Sequence, residues 1–207
     1  MKILVCVLIG YLVGSLNPAA LISHLKHKDL RKTGTGNLGA TNVLLAFGKR
    51  CGAFVMLFDI TKAFVTVTLV ELLVPDISWI GIATGTCVII GHCFPFYLGF
   101  KGGKGLAAFA GLVLAYQPLL FVFLLITGVA FMLIVNYSFI LPFYATVFFA
   151  IYVAITEKTL AMTVCATVVS AIIFAMHFGN LIKAIKGQDN KIREYIKNKM
   201  FKKSNAK

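Results

Sequence analysis

The sequence has little negative charge: seven Asp and Glu residues stand against 20 Lys and Arg, which gives a formal net charge of +13 over 207 residues. Polar residues are also scarce, since 59% of the chain is hydrophobic. Several apolar runs instead reach the ~20 residues that a helix needs to cross a bilayer. In a soluble protein such a positive balance would suggest nucleic acid. Here the basic residues lie in the loops and tail of a membrane protein, so anionic headgroups or anionic substrates are the expected partners, and nucleic acid is not.

Two further absences exclude whole classes of chemistry. The five cysteines are odd in number and show no C-x-x-C spacing, so neither a disulfide framework nor a zinc site is predicted. The sequence has no G-x-S-x-G motif, no Cys-His-Asp grouping in its polar segments and no metal-ligand spacing. A reaction catalysed by this chain would therefore depend on phosphate binding, positioning and electrostatics, without a covalent enzyme intermediate.

The apolar runs predict an all-α integral membrane protein with a single polytopic domain over residues 1–207. The first run resembles a signal peptide, but it extends to about Ile22 without a clear cleavage site, which favours an uncleaved first span. Breaks at Gln117-Pro118 and Asn136-Tyr137-Ser138 divide the long apolar region 106–156. The predicted spans cover about residues 3–23, 52–73, 77–98, 105–116, 119–135, 139–155 and 159–180, and a basic tail covers 183–207.

The basic residues also predict an orientation. Six Lys and Arg lie in the first loop, two in the second loop and nine in the tail from Lys183 onward. The positive-inside rule places those segments in the cytoplasm, which leaves Lys2, Asp76 and the Glu157-Lys158 pair outside. An outside N-terminus and a cytoplasmic C-terminus require an odd number of crossings. A single crossing in 106–156 would leave about 30 apolar residues unexplained at ~20 per span, so three crossings there, and a seven-helix bundle, are predicted.

Four polar segments are then predicted to meet at the cytoplasmic face: residues 15–18, 31–42 and 99–105, and His177 with Asn180. The segment 31–42, RKTGTGNLGATN, combines three glycines with neutral hydrogen-bonding groups and two cations. Glycine allows a backbone to approach a ligand closely, so this composition favours a binding loop. An ordinary loop between two spans is the alternative.

The segment GFKGGKG (99–105) is predicted to bind an anion. Lys101 and Lys104 alternate with glycines whose amides can form an anion-binding nest, and Lys104 lies at the start of the next helix. The segment does not match a Walker loop, because three residues rather than four separate Gly99 from the Gly-Lys pair and Gly105 follows Lys104. A phosphate or carboxylate site is the prediction, and a solvated basic loop is the alternative.

Two further pairs place polar groups on one helix face. His177 and Asn180 are three residues apart at the inner end of the last span, which favours a functional role over an interfacial histidine. Asp59 and Lys62 have the same spacing in the second span. That pair is either a structural ion pair, which lets two charges enter the bilayer, or part of the site.

These motifs resemble those of the bacterial membrane-integral glycerol-3-phosphate acyltransferases that use acyl phosphate as donor, the PlsY family, over essentially the whole chain. The resemblance is carried by Gly14-Ser15 with Pro18, RKTGTGNLGATN, Asp59-x-x-Lys62, GHCFPFYLGFKGGKG from Gly91 to Gly105, and His177-x-x-Asn180 with Gly187. It implies transfer of a fatty acyl group to the 1-hydroxyl of glycerol 3-phosphate, which gives lysophosphatidate and inorganic phosphate. It also implies seven helices, an outside N-terminus and no metal or cofactor.

Together, the motifs and the resemblance assign the site. The residues expected to be catalytic are Thr35, Lys104, His177 and Asn180. Those expected to bind substrate phosphate are Arg31, Gly36, Asn37, Thr41, Asn42, Gly102, Gly103 and Ser138. The chain departs from the family pattern where Thr35 replaces the usual Ser and where Leu45 and Phe178 replace Arg. The departures in the third motif, normally an Arg and two Ser, are Asn136, Phe139 and Pro142.

The expected partners are glycerol 3-phosphate, acyl phosphate, the lipid bilayer and the peripheral enzyme that makes acyl phosphate. The expected location is the bacterial cell (inner) membrane, with the active site facing the cytoplasm. The departures motivate an alternative, a catalytically weakened homologue that binds phosphorylated lipid or scaffolds lipid-synthesis enzymes. A transporter with broken helices would need a polar path between the faces, whereas the polar segments share one side. His24 and Asp29 have the H-x4-D spacing of a different class of glycerolipid acyltransferases, but their Lys-rich flanks favour coincidence.

Overall fold

A computed structural model describes residues 1–157 and 159–188, and within them the chain forms nine α-helices, two short 3₁₀ helices and no β-strand. The α-helices are α1 (Lys2–Ser15), α2 (Pro18–Leu25), α3 (Ala40–Phe47), α4 (Lys49–Leu73), α5 (Ile80–Cys93), α6 (Leu106–Tyr116), α7 (Pro118–Val135), α8 (Ile140–Thr156) and α9 (Leu160–Ile185). The 3₁₀ helices are Leu30–Lys32 and Phe96–Leu98.

Five helical segments of the described chain are long and apolar enough to cross a membrane. They are Lys2–Leu25, Lys49–Leu73, Ile80–Leu98, Pro118–Val135 and Leu160–Ile185, while α6 and α8 are apolar but shorter. Large apolar side chains such as Leu72, Ile134 and Leu160 are more than 70% exposed. A lipid environment accounts for this apolar outer surface, because a soluble protein rarely exposes so many large hydrophobic side chains together.

The prediction of an all-α membrane protein is confirmed. The structure differs from the predicted loop at 40–47, which forms the short helix α3. This helix begins directly after Gly39 and buries Asn42 and Val43 on one side. Burial of that side supplies the packing that so short a helix needs, since helices below about 12 residues are marginal on their own.

The first membrane segment is broken between α1 and α2. Pro18 has no N–H to continue the helix of α1 and instead occupies the first turn of α2. The side chain of Asn17 caps α2, because its Oδ1 accepts the backbone N–H of Ala20 at 2.8 Å. The chain therefore restarts as a second helix at the level of Asn17.

The carbonyls released at the end of α1 are bound by side chains from other helices. Lys62 Nζ on α4 donates to the carbonyls of Gly14 at 3.0 Å and Leu16 at 2.8 Å. The hydroxyl of Tyr97 donates to the carbonyl of Ser15 at 2.7 Å. Because an unpaired backbone group in a bilayer costs several kcal/mol, these donors make the break tolerable at this depth.

Glycine lets α1 and α5 approach until their backbones touch. A β-carbon at Gly14 would overlap the carbonyl of Val88, and one at Gly91 would overlap the carbonyl of Tyr11. Small residues at helix contacts are a common means of close packing in membranes. The close approach brings the broken end of α1 next to the end of α5, where the glycine-rich segment 99–105 follows.

The main core lies between α5, α6, α8 and α9. Phe149 is fully buried at its centre, with edge-to-face ring contacts to Phe109 at 5.3 Å and Tyr116 at 5.8 Å between ring centroids. Ile173 on α9 is fully buried in the same cluster. This packing fixes the position of α9 along its axis relative to α5, α6 and α8. His177 therefore lies one helical turn beyond the buried Ile173.

Candidate active site

Hydrogen bonds join all four of the predicted polar segments. The links are Asn17 Nδ2 to the Leu38 carbonyl at 3.3 Å, Arg31 Nη2 to the carbonyls of Leu98 at 2.7 Å and Lys101 at 3.0 Å, and Lys104 Nζ to Asn180 Oδ1 at 2.7 Å. The segments therefore lie at the same end of the helices, as the sequence predicts, and together they form one polar region.

The loop 31–42 is held from inside by Asn42. This side chain is fully buried, and its Nδ2 donates to the carbonyls of Leu30 at 2.8 Å and Asn37 at 3.0 Å. Its Oδ1 accepts the backbone N–H of Thr35 at 2.9 Å. A β-carbon at Gly34, which has a φ of +59°, would overlap the same oxygen. The amide of Asn42 thus shapes the loop and does not face outwards, contrary to the phosphate contact predicted for it.

The outer face of the same loop presents hydroxyl groups. Thr35 and Thr41 are exposed, and Asn37 is half-buried. The backbone N–H of Gly36 donates to the carbonyl of Thr33 at 3.1 Å, which closes the turn. Gly36 therefore contributes its conformation, with a φ of +72°, rather than a free amide. The exposed polar residues of this loop are thus the two threonines together with Arg31 and Lys32.

The segment 99–105 folds back onto the end of α5. The backbone N–H groups of Gly102 and Gly103 donate to the carbonyls of Cys93 at 2.9 Å and His92 at 3.0 Å. The predicted anion-binding nest is therefore wrong for these two amides. A β-carbon at Gly103 would overlap the imidazole ring of His92. Glycine is required here because the backbone rests directly on the helix below it.

Lys104, Asn180 and His177 form the polar group between α6 and α9. Lys104 is half-buried, and its bond to Asn180 is charge-assisted. His177 is buried, and its Nδ1 lies 3.0 Å from the carbonyl of Ile173. Since a carbonyl only accepts, Nδ1 carries the proton, and Nε2 of the neutral ring is an acceptor. The arrangement offers one cation, one amide and one imidazole acceptor to a ligand.

A buried ionic cluster lies directly beneath the glycine-rich segment. Lys62 Nζ is 2.7 Å from Asp59 Oδ1, which confirms the ion pair considered for this spacing. The Nδ1 atom of His92 is 3.3 Å from the same carboxylate oxygen and 3.2 Å from Lys62 Nζ. The exposure of these side chains is 4% or less. The sequence motif contains His92, but its spacing did not predict this contact with α4.

The turn between α7 and α8 reaches the same end of α9. Ring contacts run from Phe139 to Phe143 at 5.8 Å, from Phe143 to Phe174 at 4.4 Å and from Phe174 to Phe178 at 6.2 Å between centroids. Phe178 is adjacent to His177 in sequence. Ser138, which was predicted to bind phosphate, is exposed in this turn.

At three positions where the family pattern has a cationic or hydroxyl side chain, this chain has an apolar one. Leu45 is 49% exposed on α3, and Phe178 is 47% exposed on α9. Pro142 is buried in the first turn of α8, where its missing N–H is tolerated. Neither an Arg side chain nor the two serine hydroxyls of the family pattern is present at these positions.

Two other predictions can be placed in the structure. Asp29 caps the 3₁₀ helix Leu30–Lys32 by accepting the N–H of Arg31 with its Oδ1, which gives this carboxylate a structural role, and His24 is exposed on α2. Within residues 1–157 and 159–188, no three His, Cys, Asp or Glu side chains cluster as metal ligands would. The basic tail beyond residue 188 lies outside the described residues.

Comparison with known proteins covers nearly the whole chain. The family model described as glycerol-3-phosphate acyltransferase matches residues 4–187. The glycerol-3-phosphate acyltransferase of Aquifex aeolicus is 32% identical over 191 residues, which are 92% of this chain and 100% of the relative. That of Macrococcus caseolyticus is 34% identical over 203 residues, which cover 93% of this chain and 98% of the relative.

Two solved structures have the same fold. One is PlsY (YgiH), an integral membrane glycerol 3-phosphate acyltransferase, in its glycerol 3-phosphate form, with a TM-score of 0.85 and 31% identity. The match covers 92% of this chain and 96% of that one. The other is the lysophosphatidic acid form of PlsY, with a TM-score of 0.84 and 29% identity, which covers 95% of this chain and 99% of that one.

Proposed function

Since the chain belongs to the glycerol-3-phosphate acyltransferase family of integral membrane proteins, we propose that it transfers a fatty acyl group from acyl phosphate to the 1-hydroxyl of glycerol 3-phosphate. The hydroxyl oxygen attacks the acyl carbonyl carbon, and the bond between that carbon and the phosphate oxygen breaks. The hydroxyl proton passes to a phosphate oxygen. The products are lysophosphatidate and inorganic phosphate.

The observation that carries this proposal is the contact of Lys104 with Asn180 beside His177. Both substrates are phosphates, and the acceptor also carries hydroxyl groups. An ammonium group neutralises phosphate charge, while an amide and an imidazole bind hydroxyl groups. The three side chains supply these functions at the end of the bundle, next to the loops that form its polar region.

The proposed roles follow from these positions. Lys104 stabilises the charge on the leaving phosphate, which is the main electrostatic contribution available to a site of this kind. His177, through Nε2, and Asn180 orient glycerol 3-phosphate. The exposed hydroxyls of Thr35 and Thr41 contact phosphate oxygens, and Arg31 joins the two loops while retaining further N–H donors. A phosphate oxygen of the donor serves as the proton acceptor.

The protein is a multi-pass membrane protein, and we propose that it lies in the bacterial inner membrane with seven crossings and an outside N-terminus. The polar region then faces the cytoplasm, where glycerol 3-phosphate and the peripheral enzyme that makes acyl phosphate are available. The acyl chain of the donor would remain in the bilayer. The distribution of Lys and Arg supports this orientation.

The direct test uses purified protein with acyl phosphate and labelled glycerol 3-phosphate. Labelled lysophosphatidate and one equivalent of inorganic phosphate are expected. Protein shown to be folded by size-exclusion chromatography and helical circular dichroism, yet giving no product, would refute the function. Acyl-CoA in place of acyl phosphate tests the donor separately.

A second candidate function is binding of a phosphorylated lipid without turnover. It is favoured by the apolar residues Leu45, Pro142 and Phe178 at positions where the family has cationic or hydroxyl groups. Each charge-assisted hydrogen bond lost from a phosphate site lowers binding by about 1.5–3 kcal/mol. Saturable lysophosphatidate binding by folded protein that gives no product would support this function over catalysis.

A further inference from the structure

The buried residues Asp59, Lys62 and His92 have no part in the proposed chemistry, although they hold the most deeply buried charges of the described chain. The side chains of Asp59 and Lys62 are 2% and 4% exposed, within helix α4. Removing two charges from water is costly, and a buried ion pair is weak evidence of a contribution to stability. Ionisable groups inside a membrane protein usually serve its function. Their contacts show what they hold in place.

The first group held by the cluster is the broken end of α1. Lys62 donates N–H groups to the carbonyls of Gly14 and Leu16, and its ammonium group forms an ion pair with Asp59 and lies 3.2 Å from His92 Nδ1. The break at Asn17 is therefore anchored to α4. The loop 31–42 is anchored in turn, because Asn17 donates to the carbonyl of Leu38.

The second group held by the cluster is the glycine-rich segment. His92 is buried in the last turn of α5, and its ring nitrogen Nδ1 reaches both members of the ion pair. The opposite side of the ring lies against Gly103, and the carbonyl of His92 accepts the N–H of Gly103. Lys104 is the next residue. A rotation of the His92 ring would therefore displace the backbone that carries Lys104.

We propose that Asp59, Lys62 and His92 act as a positioning cluster, which fixes the His92 ring against Gly103 and so directs Lys104 towards the substrate phosphates. The same cluster joins α1, α4 and α5 at the base of the polar region. His92 is a positioning residue in this scheme, since it acts through Lys104 and does not touch the substrate. The proposal rests on the proposed function.

The decisive variants are His92→Phe and His92→Asn. Phenylalanine keeps a ring against Gly103 but removes the nitrogen that contacts Asp59 and Lys62. Asparagine restores a polar group near the position of Nδ1. We expect His92→Phe to lower kcat/KM on the order of 10- to 100-fold, because displacements of about 1 Å in a catalytic group have effects of this size. His92→Asn should recover most of the loss. Inhibition by inorganic phosphate should weaken in parallel.

A kinetic double-mutant cycle with Lys104→Ala separates positioning from general destabilisation. If His92 acts through Lys104, His92→Phe should have little further effect when Lys104 is already alanine, so the effects are non-additive. The proposal would be overturned if the loss of kcat/KM in the double variant equalled the product of the two single losses. Wild-type kinetics in folded His92→Phe would also overturn it. The matched control is Thr84→Val on the same helix, where a buried hydroxyl has no hydrogen-bond partner within the described residues, and its kinetics should be unchanged.

Further experiments distinguish the case in which His92→Phe does not fold from the case in which wild-type protein is inactive. If His92→Phe does not fold, the pair Asp59→Asn with Lys62→Met takes its place in the cycle, because it removes both buried charges together. If folded wild-type protein gives no lysophosphatidate, the proposed function fails independently of the cluster. Binding of inorganic phosphate, measured by calorimetry on wild type, Lys104→Ala and His92→Phe, then tests the positioning of Lys104. Equal phosphate affinity in wild type and His92→Phe would overturn it.

Discussion

At the scale of single residues, the ammonium group of Lys104 is held in a defined place. Its own loop rests on α5, and its side chain donates a hydrogen bond to Asn180 on α9, three residues after His177. Lys101 belongs to the same loop but is exposed, and its backbone carbonyl accepts a bond from Arg31. The two lysines are thus similar in sequence and different in environment.

Lys104→Ala is expected to lower kcat/KM on the order of 10- to 100-fold while leaving the protein folded. The reason is the loss of charge-assisted bonds worth about 1.5–3 kcal/mol each, where 1.4 kcal/mol corresponds to a factor of ten. Initial rates of lysophosphatidate formation measure the effect, and Lys101→Ala is the control, with a change of less than about threefold expected. Equal losses in both variants would mean that the loop acts only through its net charge.

The sequence could predict which residues share a helix face and which segments meet at one end of the helices, but not the individual contacts between those segments. His177 and Asn180 share a helix face because of their spacing, and the structure places them together beside Lys104. Asn42 and His92 have their partners elsewhere in the chain or in a folded loop, so nothing in their spacing reveals that one shapes a loop and the other contacts α4. A glycine pattern likewise does not distinguish a free amide from a closely packed backbone.

At the scale of helices, the break in the first membrane segment is the feature that sets up the site. Asn17 and Pro18 end one helix and start another, and both residues are visible as helix signals in the sequence. Hydropathy alone merges α1 and α2 into one span. The carbonyl groups at the break accept hydrogen bonds from Lys62 and Tyr97, which lie in distant segments of the chain. The sequence therefore predicts the polar segment 15–18 but not the residues that bind it.

Gly14→Ala tests how closely α1 and α5 are packed. A methyl group at this position would overlap the backbone of Val88, which cannot move as a side chain would. We expect a loss of about 1–3 kcal/mol in stability, as for overpacking of a core, and a lower melting temperature in detergent. Gly179→Ala is the control, since a β-carbon there meets nothing within 4 Å, and alanine favours a helix by up to about 1 kcal/mol.

If Gly14→Ala melted at the wild-type temperature, the close approach of α1 and α5 would not be required for stability. If both alanine variants melted lower, the effect would belong to glycine flexibility in general and not to the contact with Val88. A lower melting temperature in Gly14→Ala alone would support the close packing of α1 against α5. The activity of the surviving folded protein would then show whether the site depends on the distance between α1 and α5.

At the scale of the whole molecule, charged groups separate towards the two ends of the helices. The polar region lies at one end, with most of the Lys and Arg residues that the structure describes. At the other end, Lys2 pairs with Asp76 at 3.1 Å, which joins the N-terminus to the turn between α4 and α5, and Lys2 holds the pKa of Asp76 below its ordinary value by hydrogen bonding. Glu157, after α8, accepts a hydrogen bond from Tyr116 at the end of α6. These contacts agree with helices that alternate in direction.

The proposed orientation predicts which turns a membrane-impermeant thiol reagent can reach. In an active variant without native cysteines, Asp76→Cys should be labelled in intact cells, because its turn lies outside. Ser138→Cys should be labelled only after permeabilisation, because three crossings between residues 106 and 156 return this turn to the cytoplasm. Both positions are exposed, so lack of access to the reagent would reflect the membrane and not burial. Labelling of both Asp76→Cys and Ser138→Cys from outside would contradict the seven-crossing arrangement. Labelling of Ser138→Cys from outside, with Asp76→Cys labelled only after permeabilisation, would mean that the whole protein is inverted. Its polar region would then face away from cytoplasmic glycerol 3-phosphate.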